Sequence, residues 1–269
     1  IRQDHSVSVL NIDIEHNSRF ANGDSFGDVG PYEIVEGTVN FAVNPLSPQN
    51  QIITDIELAP RNEDGNVTFS SDFAMLRPVN PNRGSHRIVF DVVNRGRKTV
   101  FGLNSVDSMD PARALEAGNG FLMRHGYTIV WCGWQYDVPP VPGLMRMQAP
   151  EAIGPNGRLT GRILCQFQAN ESTKMFLLAD RLHTPHPPVD VDDPAASMTV
   201  RDHPNGLAES IDRNKFSFVR IGDDWEEQDI THVYMPSGFE PGRIYQLVYE
   251  TVGSTVVGLG FAAVRDIVS

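Results

Sequence analysis

Residues 88–96 read IVFDVVNRG. The first six of these residues are almost continuously apolar, which is typical of a strand that is covered on both faces in a parallel sheet. Residues 127–132 (YTIVWC) form a second run of the same kind. The chain between the two runs is long enough for a helical crossover, and such a crossover joins parallel strands. The sequence therefore predicts a parallel strand–helix–strand unit.

The expected crossover helix has a clear N-terminal signal. Asp110 is a good N-cap and Pro111 suits the first helical position. Gly118 and Gly120 weaken the middle of this helix, and Gly126 closes it. The apolar residues of one face follow at helical spacing and are Ala114, Leu115, Phe121 and Leu122.

The chain before residue 86 has the pattern of antiparallel strands. Val39, Phe41 and Val43 alternate with small or polar residues, as strand residues with one buried face do. Ile52, Ile56 and Leu58 indicate a further strand in the same way. We therefore expect a β-rich N-terminal extension over residues 1–85.

A second β-rich stretch is expected within the remaining chain. From about residue 139 to 243 no segment has helical periodicity, and Ile163, Cys165 and Phe167 alternate. Residues 245–251 then form one more strand. The sequence thus predicts an α/β fold, with a core over residues 86–269 that carries a β-rich insertion at about 139–243.

Composition excludes some classes of partner. A net charge of −12 opposes binding to nucleic acid or to an anionic membrane, because phosphate groups are repelled. No apolar run is long enough to span a bilayer. Cys132 and Cys165 lie in apolar strand-like runs, so buried thiols are expected. Because the chain begins with Ile1 and not with Met, we expect a processed protein, a fragment or a trimmed chain, and processing would suit a secreted or periplasmic protein.

Residues 23–27 (GDSFG) match the nucleophile-elbow pattern G-x-S-x-G. In a true elbow the serine lies on a sharp turn from a strand into a helix. Here the residues after Ser25 lead into a strand that follows Pro31, so we predict a polar turn and not a nucleophile.

His183 and His186, followed by Asp190, resemble a metal-ligand cluster, since imidazole and carboxylate groups bind zinc or calcium. The prolines between these residues hold the chain extended and oppose convergence of the ligands. A solvated acidic loop is therefore the favoured interpretation, and a metal site is the alternative.

The loop of Asn94, Arg95 and Gly96 leaves the carboxyl end of a predicted parallel strand, where α/β folds place ligand contacts. Glycine lets a backbone approach a substrate closely. The alternative is a turn whose arginine pairs with a carboxylate. Trp134 and Tyr136 follow the next strand at the same edge, where they either line a pocket or pack into the core.

The last twelve residues predict a helix. Val257, Phe261, Val264 and Val268 recur at helical spacing on one face. Neither a capping glycine nor a proline marks an end to the helix. We therefore expect it to continue beyond Ser269.

Several of these blocks together resemble the N-terminal half of a family of serine α/β-hydrolase-domain proteins. In this sequence the blocks are NRG (94–96), GFLMRHGYTIVWCGWQYDV (120–138), PGL (142–144), DVDDPA (190–195), TVRD (199–202), FEPGRIYQLVY (239–249) and VVGLGFAAVRDIVS (256–269). They span nearly the whole chain from Gly30 onward, in the family's order.

The resemblance implies that residues 86–269 form an incomplete α/β-hydrolase core with a partial α/β-hydrolase sheet, and that the substrate is a carboxylic ester. Such enzymes use a serine–histidine–acid triad, and backbone amides bind the oxyanion. The amides of Arg95 and Gly96 would be the donors from this half. The family's triad residues come after the position that matches Ser269, so no catalytic residue and no cofactor is assigned to this chain.

Two other functions compete with this interpretation. One is a non-catalytic β-rich module that binds a carbohydrate or a protein, with Trp134, Tyr136 and Trp225 as stacking residues. The other is a metal-dependent hydrolase. For the hydrolase half, the expected partners are a C-terminal half on a second chain, or self-association through an open sheet edge.

Overall fold

The computed structural model describes residues 8–106, 115–179, 183–222, 225–228 and 230–269, with the backbone alone for 220–222 and 225–228. The predicted helix start at Asp110, Pro111 and Ala114 and the side chain of Trp225 lie outside this description. The chain forms two compact units. One comprises the described residues up to Ala152 together with Thr255–Ser269, and the other is Ile153–Ser254.

The first unit is built on a mixed sheet of six strands in the order β1-β2-β3-β5-β4, with β6 paired to β3. All of its strand pairs are antiparallel except β4 with β5. Its strands are β1 (Val9–Arg19), β2 (Tyr32–Val43), β3 (Val67–Pro78), β4 (Ile88–Asp91), β5 (Thr128–Cys132) and β6 (Met147–Gln148). Its α-helices are α1 (Phe121–Arg124) and α2 (Leu259–Ile267), and its 3-10 segments are Phe20–Gly23, Gly27–Val29, Ile56–Leu58, Pro81–Arg83 and Val100–Asn104.

The core of this unit follows from strand alternation. Val39, Phe41 and Val43 are fully buried on one face of β2, as the alternation predicted. On the opposite face of the sheet, Ile129 and Trp131 of β5 belong to an apolar cluster. The phenol of Tyr32 reaches this cluster and donates to the carbonyl oxygens of Met123 and Tyr127.

Asp91, at the end of β4, is a buried carboxylate with a full set of donors. Its Oδ2 accepts from the backbone N–H groups of Thr99 at 2.7 Å and Val100 at 2.8 Å, and from the indole N–H of Trp131 at 2.8 Å. Its Oδ1 accepts from the Thr99 hydroxyl at 2.9 Å. These bonds satisfy a charge that would otherwise be costly to bury, and they fasten the chain after β4 to β5.

The second unit is entirely antiparallel in its strand pairs. One sheet has four strands in the order β12-β11-β16-β9, and smaller pairs are β10 with β15, β13 with β14 and β7 with β8. The strands are β7 (Ile153–Gly154), β8 (Gly157–Arg158), β9 (Thr160–Gln168), β10 (Thr173–Leu177), β11 (Ser197–Arg201), β12 (Glu209–Ile211), β13 (Val219–Gly222), β14 (Trp225–Gln228), β15 (His232–Phe239) and β16 (Ile244–Val252), with a 3-10 turn at Arg213–Lys215.

The core of the second unit is rich in aromatic residues. Phe239 contacts Phe176 and Tyr245 edge to face, with ring centroids 4.9 Å apart in both pairs. Arg213 donates to the backbone carbonyls of Val191, Asp193 and Phe216, and its guanidinium lies over the ring of Phe216. The partly buried Arg213 thus ties its own segment to the loop of residues 191–193.

The prediction of an α/β class with a partial α/β-hydrolase sheet is wrong. Most of the regular structure is strand, and the described residues contain sixteen strands but two α-helices. A parallel α/β sheet needs helices to cover both of its faces. Here β4 and β5 do pair in parallel, but antiparallel strands continue the sheet and α1 is one turn long. The fold is therefore β-rich, and the domain boundaries at about residues 85, 139 and 243 stay predictions.

Three local predictions also need correction. The strand at residues 88–93 is not covered on both faces, because Ile88 is 67% exposed at a sheet edge. In the described part of the predicted crossover helix, from residue 115 onward, the one helical turn is α1, since Gly118 and Gly120 adopt left-handed φ angles of 54° and 70°. The predicted strand around Ile56 is a 3-10 turn.

The C-terminal helix was predicted correctly, but its buried face was not. Leu259, Ala262 and Ala263 are buried, whereas Phe261 is 70% exposed. A Cβ atom at Gly260 would collide with the carbonyl of Trp134, so this helix approaches the chain after β5 very closely. Gly260, Ala262 and Ala263 are small enough to allow that approach. Val257, Phe261 and Val268, which were predicted to be on the buried face, are therefore exposed.

Cys132 and Cys165 are buried free thiols, as predicted. Burial raises the pKa of the Cys132 thiol to about 12. In the described part of the chain, no helix has both the length and the apolar character needed to cross a membrane.

The Asp91 network yields a stability prediction. Asp91→Ala leaves the buried indole N–H of Trp131 and the partly buried N–H groups of Thr99 and Val100 without their acceptor, so we expect it to lower the free energy of unfolding by about 3–5 kcal/mol. Asp91→Asn keeps an oxygen where those donors converge and should cost about 1 kcal/mol. Urea unfolding followed by tryptophan fluorescence measures both values. Equal costs for the two variants would contradict the assignment of Oδ2 as the shared acceptor.

Candidate functional site

The loop of Asn94, Arg95 and Gly96 is a tight turn that reverses the chain at once. Asn94 and Arg97 exchange two backbone hydrogen bonds of 3.2 and 3.1 Å. The two residues between them have positive φ angles, 51° for Arg95 and 81° for Gly96. This is the backbone pattern of a type I′ turn. A non-glycine residue with positive φ is uncommon, so Arg95 has to be held in place by its contacts.

Arg95 is held by the segment that follows β5. Its backbone N–H donates to Oε1 of Gln135 at 3.0 Å. One guanidinium nitrogen donates to both carboxylate oxygens of Asp137, at 2.8 and 2.9 Å. The structure therefore brings together the two stretches that the sequence predicted to meet at one sheet edge. The alternative of a turn whose arginine pairs with a carboxylate is also confirmed, since Arg95 and Asp137 form this ion pair.

Gly96 is the buried residue of the turn. Its carbonyl accepts from the N–H of Met145 at 3.0 Å, and a Cβ atom at Gly96 would lie 2.9 Å from the backbone N and O of Met145. Among the described residues, no atom accepts a hydrogen bond from the backbone N–H of Gly96. The resemblance implied two backbone donors for an oxyanion. The Arg95 amide already donates to Gln135, so the Gly96 amide is the one left to serve as such a donor.

Trp134 and Tyr136 differ in their surroundings. The indole N–H of Trp134 donates to the carbonyl of Val93 at 2.8 Å, and its ring lies 5.6 Å from that of Phe261. Trp134 therefore packs between the chain that follows β4 and α2. Tyr136 is half-buried, and burial raises the pKa of its phenol, with a further increase from Asp137 and an opposing effect of Arg95. Tyr136 thus shares the electrostatic environment of the turn.

Sequence reasoning missed Gln135 and Asp137, which support the turn. Both lie within residues 120–138, one of the blocks on which the resemblance rests, but no role was predicted for either residue. The available signal was their position directly after a buried strand, because the carboxyl ends of neighbouring parallel strands meet at one edge. Asp91 was missed as well, although a single carboxylate inside an apolar run is the kind of residue that needs buried donors.

A polar cleft of about 270 Å³ lies beside this turn and shares Met145 with it. Glu15, Glu36 and Asp72 line it together with Lys98, whose amine is 3.3 Å from a Glu36 carboxylate oxygen. Burial raises the pKa of Asp72, although a hydrogen bond from the Arg146 backbone opposes the shift. This cleft could not be predicted from the sequence, because its residues come from three separate strands and two loops.

The metal-ligand candidates belong to the second unit. Asp190 is exposed, and its Oδ1 accepts from the N–H of Asp192 at 2.9 Å, as in a loop turn. The carbonyl of His186 accepts from the Tyr249 hydroxyl. Within the described ranges, neither His183, His186 and Asp190 nor any other three His, Cys, Asp or Glu residues are placed to hold a metal ion.

Ser25 lies in a polar turn, as its surroundings predicted. It is exposed and forms a β-bridge with Pro31, and only a single 3-10 turn (Gly27–Val29) separates it from β2. The turn lacks the α-helix that a nucleophile elbow requires.

Comparisons with protein-family models, with curated proteins and with solved structures find no match to this chain. The resemblance to serine hydrolases therefore stays a prediction, which is based on sequence blocks.

The packing of Gly96 can be tested against a matched glycine. Gly65 has nearly the same φ angle, 79° against 81°, but a Cβ atom there would meet nothing within 4 Å. Gly65→Ala should cost about 1 kcal/mol of unfolding free energy, from backbone strain alone. Gly96→Ala should cost about 3 kcal/mol, because the new methyl group also collides with Met145. Urea unfolding of both variants measures the difference, and equal costs would show that Met145 can move aside.

Proposed function

We propose that this chain supplies the oxyanion-binding part of a serine carboxylic-ester hydrolase, with the Gly96 amide as its donor. The observation that carries the proposal is the turn itself. A buried backbone N–H without an acceptor among the described residues lies in a turn that neighbouring side chains hold rigidly. Buried amides are nearly always bonded, so an unbonded one at a ligand edge is a donor available to a bound molecule.

The chemistry of ester hydrolysis requires such a donor. Attack on the ester carbonyl produces a tetrahedral intermediate whose oxygen is negatively charged. A fixed N–H group stabilises that oxygen most when it is already oriented, and loss of one donor typically lowers kcat about 100-fold or more. A turn that is clamped by Gln135 and Asp137 meets this requirement, because its amides do not have to reorient during the reaction.

Arg95 has a positioning role in this proposal. Its guanidinium is paired with Asp137, and the side chains of the pair are 28% and 21% exposed, so little net positive charge is directed at a substrate. The backbone N–H of Arg95 is bonded to Gln135. Both contacts fix the residue directly before Gly96.

The proposal concerns the reaction and not an α/β-hydrolase fold. The nucleophile, the acid and the histidine are not assigned to any residue of this sequence, and they would come from outside it. The competing function of an aromatic binding module has less support, because the Trp134 ring packs against Phe261 and its N–H bonds to Val93.

The proposal predicts a specific kinetic defect, to be measured in the polypeptide or complex in which this sequence occurs together with a nucleophilic serine. Gln135→Ala removes the acceptor that orients the Arg95 amide and should loosen the turn. We expect kcat for p-nitrophenyl esters to fall about 10-fold with little change in KM, since a transition-state contact is weakened. Fluorophosphonate labelling should mark a serine in the unmodified protein.

Gln148→Ala is the matched control, because Gln148 is exposed on β6 and contacts none of the turn residues named above. It should leave both kcat and KM unchanged. An equal loss from the two variants, or a defect confined to KM, would contradict the role of the turn. Absence of both labelling and ester hydrolysis in the unmodified protein would refute the hydrolase proposal as a whole.

A further inference from the structure

We propose that Asn156 is a modification site, at which the side-chain amide is lost spontaneously and an aspartyl or isoaspartyl residue is formed. Four asparagines of the sequence are followed directly by glycine, at positions 22, 119, 156 and 205. Glycine has no Cβ, so its backbone nitrogen can approach the preceding side chain closely. The fold constrains the four pairs to different extents. This inference does not depend on the proposed function.

The reaction needs no partner other than water. The backbone nitrogen of Gly157 attacks the side-chain carbonyl carbon of Asn156, and the new N–C bond closes a succinimide ring. The bond from that carbon to the amide nitrogen breaks, and the nitrogen leaves as ammonia with the proton of the Gly157 N–H. Water then opens the ring at either carbonyl and gives aspartate or isoaspartate. Reaction therefore requires a side chain that can rotate and a glycine nitrogen that can move.

Asn119 meets neither requirement in the folded chain. Its Oδ1 accepts from the backbone N–H of Phe121 at 2.9 Å, and its Nδ2 donates to the hydroxyl of Ser105 at 3.1 Å. The attacking nitrogen would be that of Gly120, which donates to the carbonyl of Ala117 at 3.0 Å. These bonds have to break before the ring can close, so the fold protects this pair.

Asn205 and Asn22 are protected through the backbone. The N–H of Gly206 donates to the carbonyl of His203 at 2.8 Å, and a Cβ atom at Gly206 would lie 3.4 Å from the His203 ring. Asn22 lies within the 3-10 segment Phe20–Gly23 and has a left-handed φ of 53°. In both pairs the glycine nitrogen belongs to a turn, and that turn has to open before the reaction can occur.

Asn156 and Gly157 differ from the other pairs in their surroundings. Both residues are exposed. The side chain of Asn156 forms no hydrogen bond with any residue that the structure describes, so its amide can rotate. A Cβ atom at Gly157 would meet nothing within 4 Å, so no neighbouring atom restrains the glycine.

The backbone around Asn156 is also the easiest of the four to open. The residue lies at the tip of the hairpin of β7 and β8, which has two residue pairs, Ile153 with Arg158 and Gly154 with Gly157. Across the described ranges, these two strands pair with no third strand. A two-stranded hairpin outside a larger sheet is marginally stable, so the Gly157 nitrogen is released at low cost.

Peptide mapping by mass spectrometry tests this site in the complete chain, aged at neutral pH and sampled over several weeks. We expect amide loss at Asn156 to be at least about 10-fold faster than at Asn22, Asn119 and Asn205, because opening a marginal hairpin costs less than opening those turns. In urea that unfolds the chain, the four rates should become similar, since glycine follows each asparagine and the protection by the fold is removed.

Asn156→Ala and the matched control Asn205→Ala both replace an exposed asparagine before glycine. Labelling by an isoaspartyl methyltransferase should fall about 10-fold or more in aged Asn156→Ala and stay unchanged in Asn205→Ala, as the protected turns react slowly. The inference is overturned if Asn156 keeps its amide in the folded chain while it reacts in urea. It is equally overturned if another of the four asparagines reacts as fast in the folded chain, or if the preference for Asn156 persists in urea.

Discussion

The buried carboxylate of Asp91 is the constraint on which the first unit depends. A charge at this depth is tolerated only where donors surround it, and four hydrogen bonds do so. Three of those donors belong to Thr99 and Val100, so the chain has to fold back towards β4 within nine residues. The tight turn at Asn94–Gly96 is one consequence of that return. The fourth donor is the indole of Trp131, which joins the same network to β5.

This constraint also links the fold to the candidate site. Asp91 precedes the turn of Asn94–Gly96 and bonds Thr99 and Val100, which follow it. The two ends of the turn are therefore held together. Gln135 and Asp137 then hold it from the neighbouring segment, and Met145 closes against Gly96. Each contact stabilises a backbone conformation that an isolated peptide would rarely adopt. A preformed donor is what the hydrolase proposal requires.

Much of the local structure could be predicted from periodicity. The buried alternation at Val39, Phe41 and Val43, the strand over β5 and the C-terminal helix were all confirmed, because apolar spacing reports directly on backbone geometry. The α/β class was wrong because one parallel pair was extrapolated to a parallel sheet. The pattern of β4 resembles that of a doubly covered strand, but its position in the sheet leaves Ile88 exposed. For the site, the meeting of the Arg95 turn with the segment after β5 was predicted, and its supporting residues Gln135 and Asp137 were not.

The sequence by itself determined that the segments around Val39–Val43 and Thr128–Cys132 are strands, that Asn94, Arg95 and Gly96 form a loop at a strand end, and that both cysteines are buried. These properties depend on near neighbours in the chain, such as alternation, turn residues and the apolar character of a short run. Only the tertiary structure decided which strands are neighbours, that the Arg95 amide is occupied while the Gly96 amide is not, and that α2 buries its small residues. Those outcomes depend on contacts between residues far apart in sequence, whose partners are chosen by the packing of the whole unit.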